Sequence, residues 1–203
     1  YLGDAKPAPL DIASLSQAQL AQLVSVVLTA KPSVENLSVE QIVGLGRSPY
    51  TNIWGTLRAE DHRMVEWAMD VVGITNLRQR MVQTLSDGER QKMMIAKALA
   101  QDTPVMLLDE PTAFLDYKSK VEMLALLSRL AHETNKMVLL STHDLEQAVH
   151  TADALWVVSK APQAANTPQK STSNAPHQPP DTHLRVLEKH IRTDEQGLQQ
   201  IVF

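Results

Sequence analysis

The chain has 203 residues, 43% of them hydrophobic, with a formal net charge of −4 at pH 7, the profile of a globular chain of one or two domains without the basic excess that nucleic acid calls for. It contains no cysteine, which excludes disulfides and thiolate metal sites and fits a cytoplasmic setting. No apolar run approaches the ~20 residues of a membrane-spanning helix and no signal-peptide pattern is present, so membrane association is expected only through a partner.

The chain begins Tyr1-Leu2-Gly3-Asp4 without an initiator Met and reads as a fragment or processed product. None of its seven glycines is followed by Lys, so the phosphate-cradling loop G-x-x-x-x-G-K-[ST] is absent. Leu10 to Gln22 predicts a turn and a short helix, with Ser14 and Gln17 at capping-box spacing. Leu23 to Leu28 is rich in valine and almost wholly apolar, as a strand buried on both faces would be, and it ends at Thr29. Residues 34–84 read as a helical insert. Ser38 and Gln41 cap a short helix carrying Val39, Ile42 and Val43, which ends in the turn Gly46-Arg47-Ser48-Pro49-Tyr50. A second helix, Ala59 to Val72, places Met64, Ala68, Val71 and Val72 on one side and stops at Gly73.

Leu85-Ser86-Asp87-Gly88-Glu89-Arg90-Gln91 opens the next helix, which runs to about Gln101, and Ser86 and Glu89 again have capping-box spacing. Two readings stand at this point: an ordinary capped helix, or a phosphate site. The second combines free backbone N–H groups, the positive end of the helix dipole, a hydroxyl, and a glycine that permits close backbone approach. Met94, Ile95, Ala98 and Leu99 are expected in the core, and Met93 and Met94 are expected as packing residues.

Val105 to Leu108 is a continuous apolar run, as in a central parallel strand, and it stops abruptly at Asp109-Glu110. Buried carboxylates at a strand end need a compensating partner, either a hydrated Mg²⁺ carrying nucleotide phosphates or the start of the next element. Asp116 should cap a long helix to about Thr134 with the stripe Val121, Leu124, Leu127, Leu130 and Ala131. Met137 to Leu140 predicts another buried strand, which delivers Thr142 and His143 to the edge that holds Asp109. The other histidines show no ligand spacing. Asp144 to Asp153 predicts a helix and Ala154 to Val158 a last core strand. From Ala161 the composition turns to Pro, Gln, Asn, Ser and Thr, which marks 161–183 as a disordered linker. In 184–203, Leu184, Leu187 and Ile191 have helical spacing while Ile201-Val202-Phe203 suits a strand, so the role of this appendage stays open.

Four of these stretches, in this order, resemble the motifs of ATP-binding cassette (ABC) ATPases: 85–91 the signature loop, 104–110 the Walker B strand, 111–116 the D-loop and 141–144 the switch-histidine loop. The resemblance covers roughly residues 20–160, and Leu45 to Tyr50 is similar to importers of iron chelates, haem and cobalamin. It implies an α/β, P-loop NTPase-like parallel sheet lacking its Walker A strand, which in the family lies upstream. The core would comprise 1–33 and 85–160, with a helical subdomain over 34–84. It further implies ATP and Mg²⁺, with Asp109 in the metal shell, Glu110 polarising the attacking water, and His143 bridging Glu110 and the γ-phosphate. Ser86, Gly88, Glu89 and Asp116 would contact nucleotide. Thr29 stands where the family's Q-loop has a Gln that contacts the metal site, and Asp87 stands where the family usually has Gly. A carboxylate at that second position either repels phosphate or points into solvent.

The implied assembly is a homodimer with ATP sandwiched between two subunits, held to the cytoplasmic face of a membrane by a permease, with no nucleic acid involved. The implied activity is ATP hydrolysis coupled to import of an iron-siderophore, haem or cobalamin, and this chain by itself is expected to be inactive because the phosphate-cradling loop is absent. Two other readings are a non-transport ABC ATPase and a catalytically silent ABC-like binding module.

Overall fold

The computed structural model describes residues 11–29, 36–160, 182–188, 190–193 and 199–202. The chain divides into two compact units, Tyr1–His143 and Asp144–Phe203.

The first unit is built on a three-stranded parallel sheet in the order β1 (Val24–Val27), β2 (Val105–Asp109), β3 (Met137–Ser141). Val24 pairs with Val105, Val105 with Met137, and Asp109 with Ser141, so β2 is central and its polar end lies beside that of β3. Side chains alternate between sheet faces. Val27, Met106 and Leu108 are buried among helical side chains. The opposite face is not: Val26, Met137 and Leu139 are exposed. Burial of β1 on both faces, and of β3 as a buried strand, is therefore corrected, because nothing among the described residues covers the second face of the sheet.

α1 (Gln17–Leu23) follows a 3₁₀ turn at Ile12–Ser14 and leads directly into β1. Its capping box is formed by Ser16 and Gln19 rather than Ser14 and Gln17. The reason is local: Asp11 caps the preceding turn and Ser14 hydroxyl donates back to the Asp11 carbonyl.

α4 (Asp87–Ala100) packs against β1, and α2 (Val39–Gly44) and α3 (Ala59–Val72) pack on α4 and on each other, with a 3₁₀ turn over Leu45–Tyr50. Capping boxes at Ser38 and Ser86 and the left-handed Gly73 after α3 set their limits as expected. The buried stripe of α3 is Val65, Ala68, Met69 and Val72, while Met64 and Val71 are half-buried at its margin. In α4, Met93 is fully buried and Met94 is half-buried. Gly46 sits where α4 passes closest, and a Cβ there would overlap the Lys97 carbonyl.

An ion pair that hydrophobic periodicity does not announce joins these helices. Arg47 is buried, its Nε 2.9 Å from Asp61 Oδ1, and its Nη1 donates to the Ala100 carbonyl at 2.9 Å. Its guanidinium also lies 4.0 Å from the Tyr50 ring centroid, a cation–π distance. Burial raises the Asp61 pKa, but the Arg58 backbone N–H and the Arg47 guanidinium outweigh it and hold the carboxyl below its ordinary value.

α5 (Tyr117–Thr134) is capped by Asp116, as expected, and buries Met123, Leu124, Leu126, Leu127 and Leu130. Val121 is exposed rather than part of that stripe. The packed face is set by Met123 and Leu126 together with Leu127 and Leu130, which turns position 121 outward.

The second unit contains α6 (Leu145–Thr151), an antiparallel pair of β4 (Ala154–Lys160) with β5 (Thr182–Glu188), and a further antiparallel pair of β6 (His190–Thr193) with β7 (Gln199–Val202). The expectation of Ala154 to Val158 as a last core strand is corrected, because β4 pairs with β5 and not with the parallel sheet. The helical spacing of Leu184, Leu187 and Ile191 is thus overridden: Leu184 pairs with Val158 and Leu187 with Leu155 across a strand ladder. Thr182 and His183, placed in the linker from composition, begin β5, and residues 161–181 lie outside the described residues.

Candidate functional site

The parallel register brings the ends of β2 and β3 together, and the two-residue period puts Asp109 and Ser141 on the same sheet face. Ser141 Oγ donates to Asp109 Oδ1 at 2.8 Å, and Thr29 Oγ1, just beyond β1, donates to Asp109 Oδ2 at 2.6 Å. These hydroxyls, Thr29 first and then Ser141, hold the Asp109 carboxyl below the usual carboxylate range. The carboxylate itself is exposed rather than buried, so its charge has kept much of its hydration.

Glu110 leaves the strand in the left-handed region, at φ 45°. That conformation is uncommon for a residue with a Cβ and needs its surroundings to hold it. Ser141 Oγ does so by accepting the Glu110 backbone N–H at 2.9 Å. The turned backbone aims the Glu110 side chain at His143, whose Nδ1 lies 3.0 Å from Oε1 and 3.0 Å from Oε2.

The start of α4 is a second locus. Ser86 Oγ accepts the Glu89 N–H at 3.3 Å, while Glu89 Oε2 accepts the Ser86 N–H at 2.8 Å. The Ser86 N–H, the Ser86 hydroxyl and Arg80, whose Nη1 is 3.0 Å from Oε1, keep the Glu89 pKa low against the opposing effect of burial. Glu89 is thereby committed to the helix cap. The first turn of the helix directs its backbone N–H groups and the positive end of its dipole outward past Gly88. A cleft lined by Thr29, Asp87, Arg90, Glu110 and Leu115 runs between this helix start and the strand ends.

The structure therefore brings together Thr29, Asp109, Glu110 and His143 of the residues singled out from sequence, and sets Ser86, Gly88 and Glu89 at the α4 cap. Asp116 belongs to neither group: its carboxylate accepts the Ser119 N–H at 3.1 Å and the Ser119 hydroxyl at 2.7 Å as the cap of α5. Ser141 is the residue that sequence reasoning left without a role. Its signal is positional, since strands of equal length, Val105–Asp109 and Met137–Ser141, align in parallel with a polar residue at each end.

The model of the ABC transporter family matches residues 7–113, more than half of the chain. The chain belongs to the ABC transporter family. It is 40% identical over 147 residues to an uncharacterised ABC transporter ATP-binding protein of Methanocaldococcus jannaschii, covering 72% of this chain and 51% of that protein. It is 34% identical over 149 residues to the iron(3+)-hydroxamate import ATP-binding protein of Bacillus subtilis, covering 73% and 55%. With the cobalamin import ATP-binding protein of Halobacterium salinarum it shares 37% identity over 149 residues, covering 73% and 37%. The chain thus spans about half or less of the length of these relatives. Among solved structures, a metal-chelate type ABC transporter in an inward-facing conformation superposes with a TM-score of 0.67 at 23% identity, covering 90% of this chain and 74% of the other. A dimeric bacterial ABC transporter cassette superposes at 0.58 with 24% identity, covering 71% and 62%. At these identities the likeness establishes the fold, a P-loop NTPase-like α/β architecture.

Proposed function

We propose that this chain is part of the ATP-hydrolysing subunit of an ABC importer for an iron chelate, haem or cobalamin, and that it carries the hydrolytic end of the site. The observation that carries this reading is the cluster at the ends of β2 and β3, where Asp109, Glu110 and His143 are held in one hydrogen-bonded set with Ser141. The relatives named for iron-hydroxamate and cobalamin import support the choice of cargo class.

The donor set fits Mg²⁺. No group of at least three His, Cys, Asp or Glu side chains among the described residues forms a metal cage. Mg²⁺ does not ask for one, because it keeps several waters and binds through one or two carboxylates plus substrate phosphates. Asp109 would supply the carboxylate, and the bound ion would neutralise charge on the transferred phosphoryl group. Glu110 would take up the proton of the attacking water, oriented by His143. Within these 203 residues no glycine begins a Gly-Lys pair, so the phosphate contact this chain offers is the N-terminus of α4. In the proposed assembly that helix faces the nucleotide of a second ABC ATPase subunit, and a membrane permease holds the pair at the cytoplasmic face.

The test is Glu110→Gln in the intact protein that carries this segment. ATP binding should persist while hydrolysis falls by about 10² or more, because the base is lost and the neighbouring carboxylate stays. Hydrolysis within a few-fold of wild type would remove Glu110 from the mechanism.

A further inference from the structure

The hydrogen bonds of Asp109 give Thr29 and Ser141 a place that the proposed chemistry does not use. We propose that these two hydroxyls are positioning residues for the metal site, acting through Asp109 and not as ligands themselves. This rests on the reading of Asp109 as the Mg²⁺ carboxylate.

Each Asp109 oxygen receives one hydroxyl, Oδ2 from Thr29 at 2.6 Å and Oδ1 from Ser141 at 2.8 Å. The donors come from opposite sides, since Thr29 follows β1 and Ser141 ends β3, the strands flanking β2. Two struts on two oxygens fix the carboxylate plane, which a single bond would leave free to rotate about its side-chain torsion. A carboxylate has about four lone-pair sites, so each oxygen keeps one for a cation after accepting a hydroxyl. Asp109 is exposed, and those lone pairs are open to a hydrated ion.

A hydroxyl has only one proton to give. Thr29 Oγ1 is also 2.9 Å from the Asp109 carbonyl, but the 2.6 Å contact has the length of a hydroxyl bound to an anionic oxygen. Thr29 is thus held against Asp109, where its effect on an ion passes through the carboxylate. Ser141 spends its proton on Asp109 and a lone pair on the Glu110 N–H at 2.9 Å. It therefore sets both the carboxylate that meets the metal and the backbone that aims Glu110.

The experiment uses the intact protein that carries this segment, with Mn²⁺ as the spectroscopic probe and a non-hydrolysable ATP analogue present. Metal affinity is read by electron paramagnetic resonance, and folding by thermal melting. Thr29→Val and Ser141→Ala should each weaken Mn²⁺ binding about ten-fold, the scale on which outer residues tune a metal site. Thr29→Ser should restore it, and analogue affinity without metal should not change. In an Asp109→Asn background, Thr29→Val should have little further effect, because the residue it acts through is gone.

Wild-type Mn²⁺ affinity in both single variants would overturn the positioning role, and so would an undiminished effect of Thr29→Val in the Asp109→Asn background. Should Thr29→Val not fold, Ser141→Ala carries the same expectation from the other oxygen. Wild-type Mn²⁺ affinity in Asp109→Asn itself would instead overturn the reading of the metal site, and the inference with it.

Discussion

His143 Nδ1 stands 3.0 Å from both carboxylate oxygens of Glu110. A carboxylate only accepts, so Nδ1 is the donor in this contact. The His143 side chain is 76% exposed and that of Glu110 27%. An exposed contact of this kind contributes little to stability. Its value in the proposed mechanism is orientation.

His143→Ala should therefore slow single-turnover ATP hydrolysis in the intact protein by about 10², in the range of a lost acid–base or orienting partner. Melting should shift by no more than about 0.5 kcal/mol equivalent, as for other surface substitutions. A large loss of stability with normal turnover of the folded fraction would make His143 a structural residue.

Ser86 caps α4, and the proposed function gives it a second, separable part as a phosphate neighbour. Ser86→Arg should abolish ATP-dependent dimerisation by filling the space in front of the α4 N-terminus. Ser86→Asn keeps a side-chain oxygen for the cap, where Asn is about as good as Ser, and should retain dimerisation. Analytical ultracentrifugation with and without ATP reads both. Equal loss in both variants would point to the cap, and no loss in either would remove the phosphate role.

Much of this architecture is legible in sequence because local chemistry dictates it. Ser38 and Ser86 are followed at the third position by Gln41 and Glu89, and both boxes form; Asp116 caps α5 through Ser119 in the same local way. The abrupt end of an apolar strand in Asp109-Glu110 likewise marks the site without knowledge of its neighbours. What escapes is whatever depends on another element. Thr29 reads as a strand end until β2 is set beside β1, and Ser141 acquires its two partners only through the register of β3. Arg47 and Asp61 look like surface residues, since charged side chains are almost never fully buried unless paired, and their pairing spans separate helices. Leu184 and Leu187 show the opposite failure: helical spacing over a few residues is weak when a complementary strand is available.

The Arg47–Asp61 pair makes acid stability a direct test of that buried contact. The Asp61 pKa is lowered on folding, so its contribution is fully present above the unfolded value, near 3.8, and is lost as pH falls through the lower folded value. With side chains only 7% and 5% exposed, Asp61→Ala leaves a buried guanidinium short of its counter-ion. The cost should be about 3–5 kcal/mol at neutral pH. Denaturant titrations of wild type and Asp61→Asn across the acid range should show a gap that is constant near neutrality and narrows below pH 3.8. A gap unchanged through that window would mean that the carboxyl charge does not hold Arg47.

The uncovered face of the sheet leads to an expectation for the 203-residue chain on its own. Val26, Met137 and Leu139 project from β1 and β3 on the side away from the core, and Leu28 beyond β1 is exposed as well. β3 lies at the end of the strand order β1-β2-β3, paired with β2 alone among the described residues. An apolar face joined to an open strand edge is a template for pairing with another chain, and a charge placed on the edge strand opposes it. The isolated chain should self-associate in sedimentation experiments as its concentration rises. Met137→Lys combined with Leu139→Thr should shift it toward monomer with its helical circular dichroism retained, since both positions point away from the packed core. A chain that stays monomeric without these substitutions would show that the face is covered by residues outside those described.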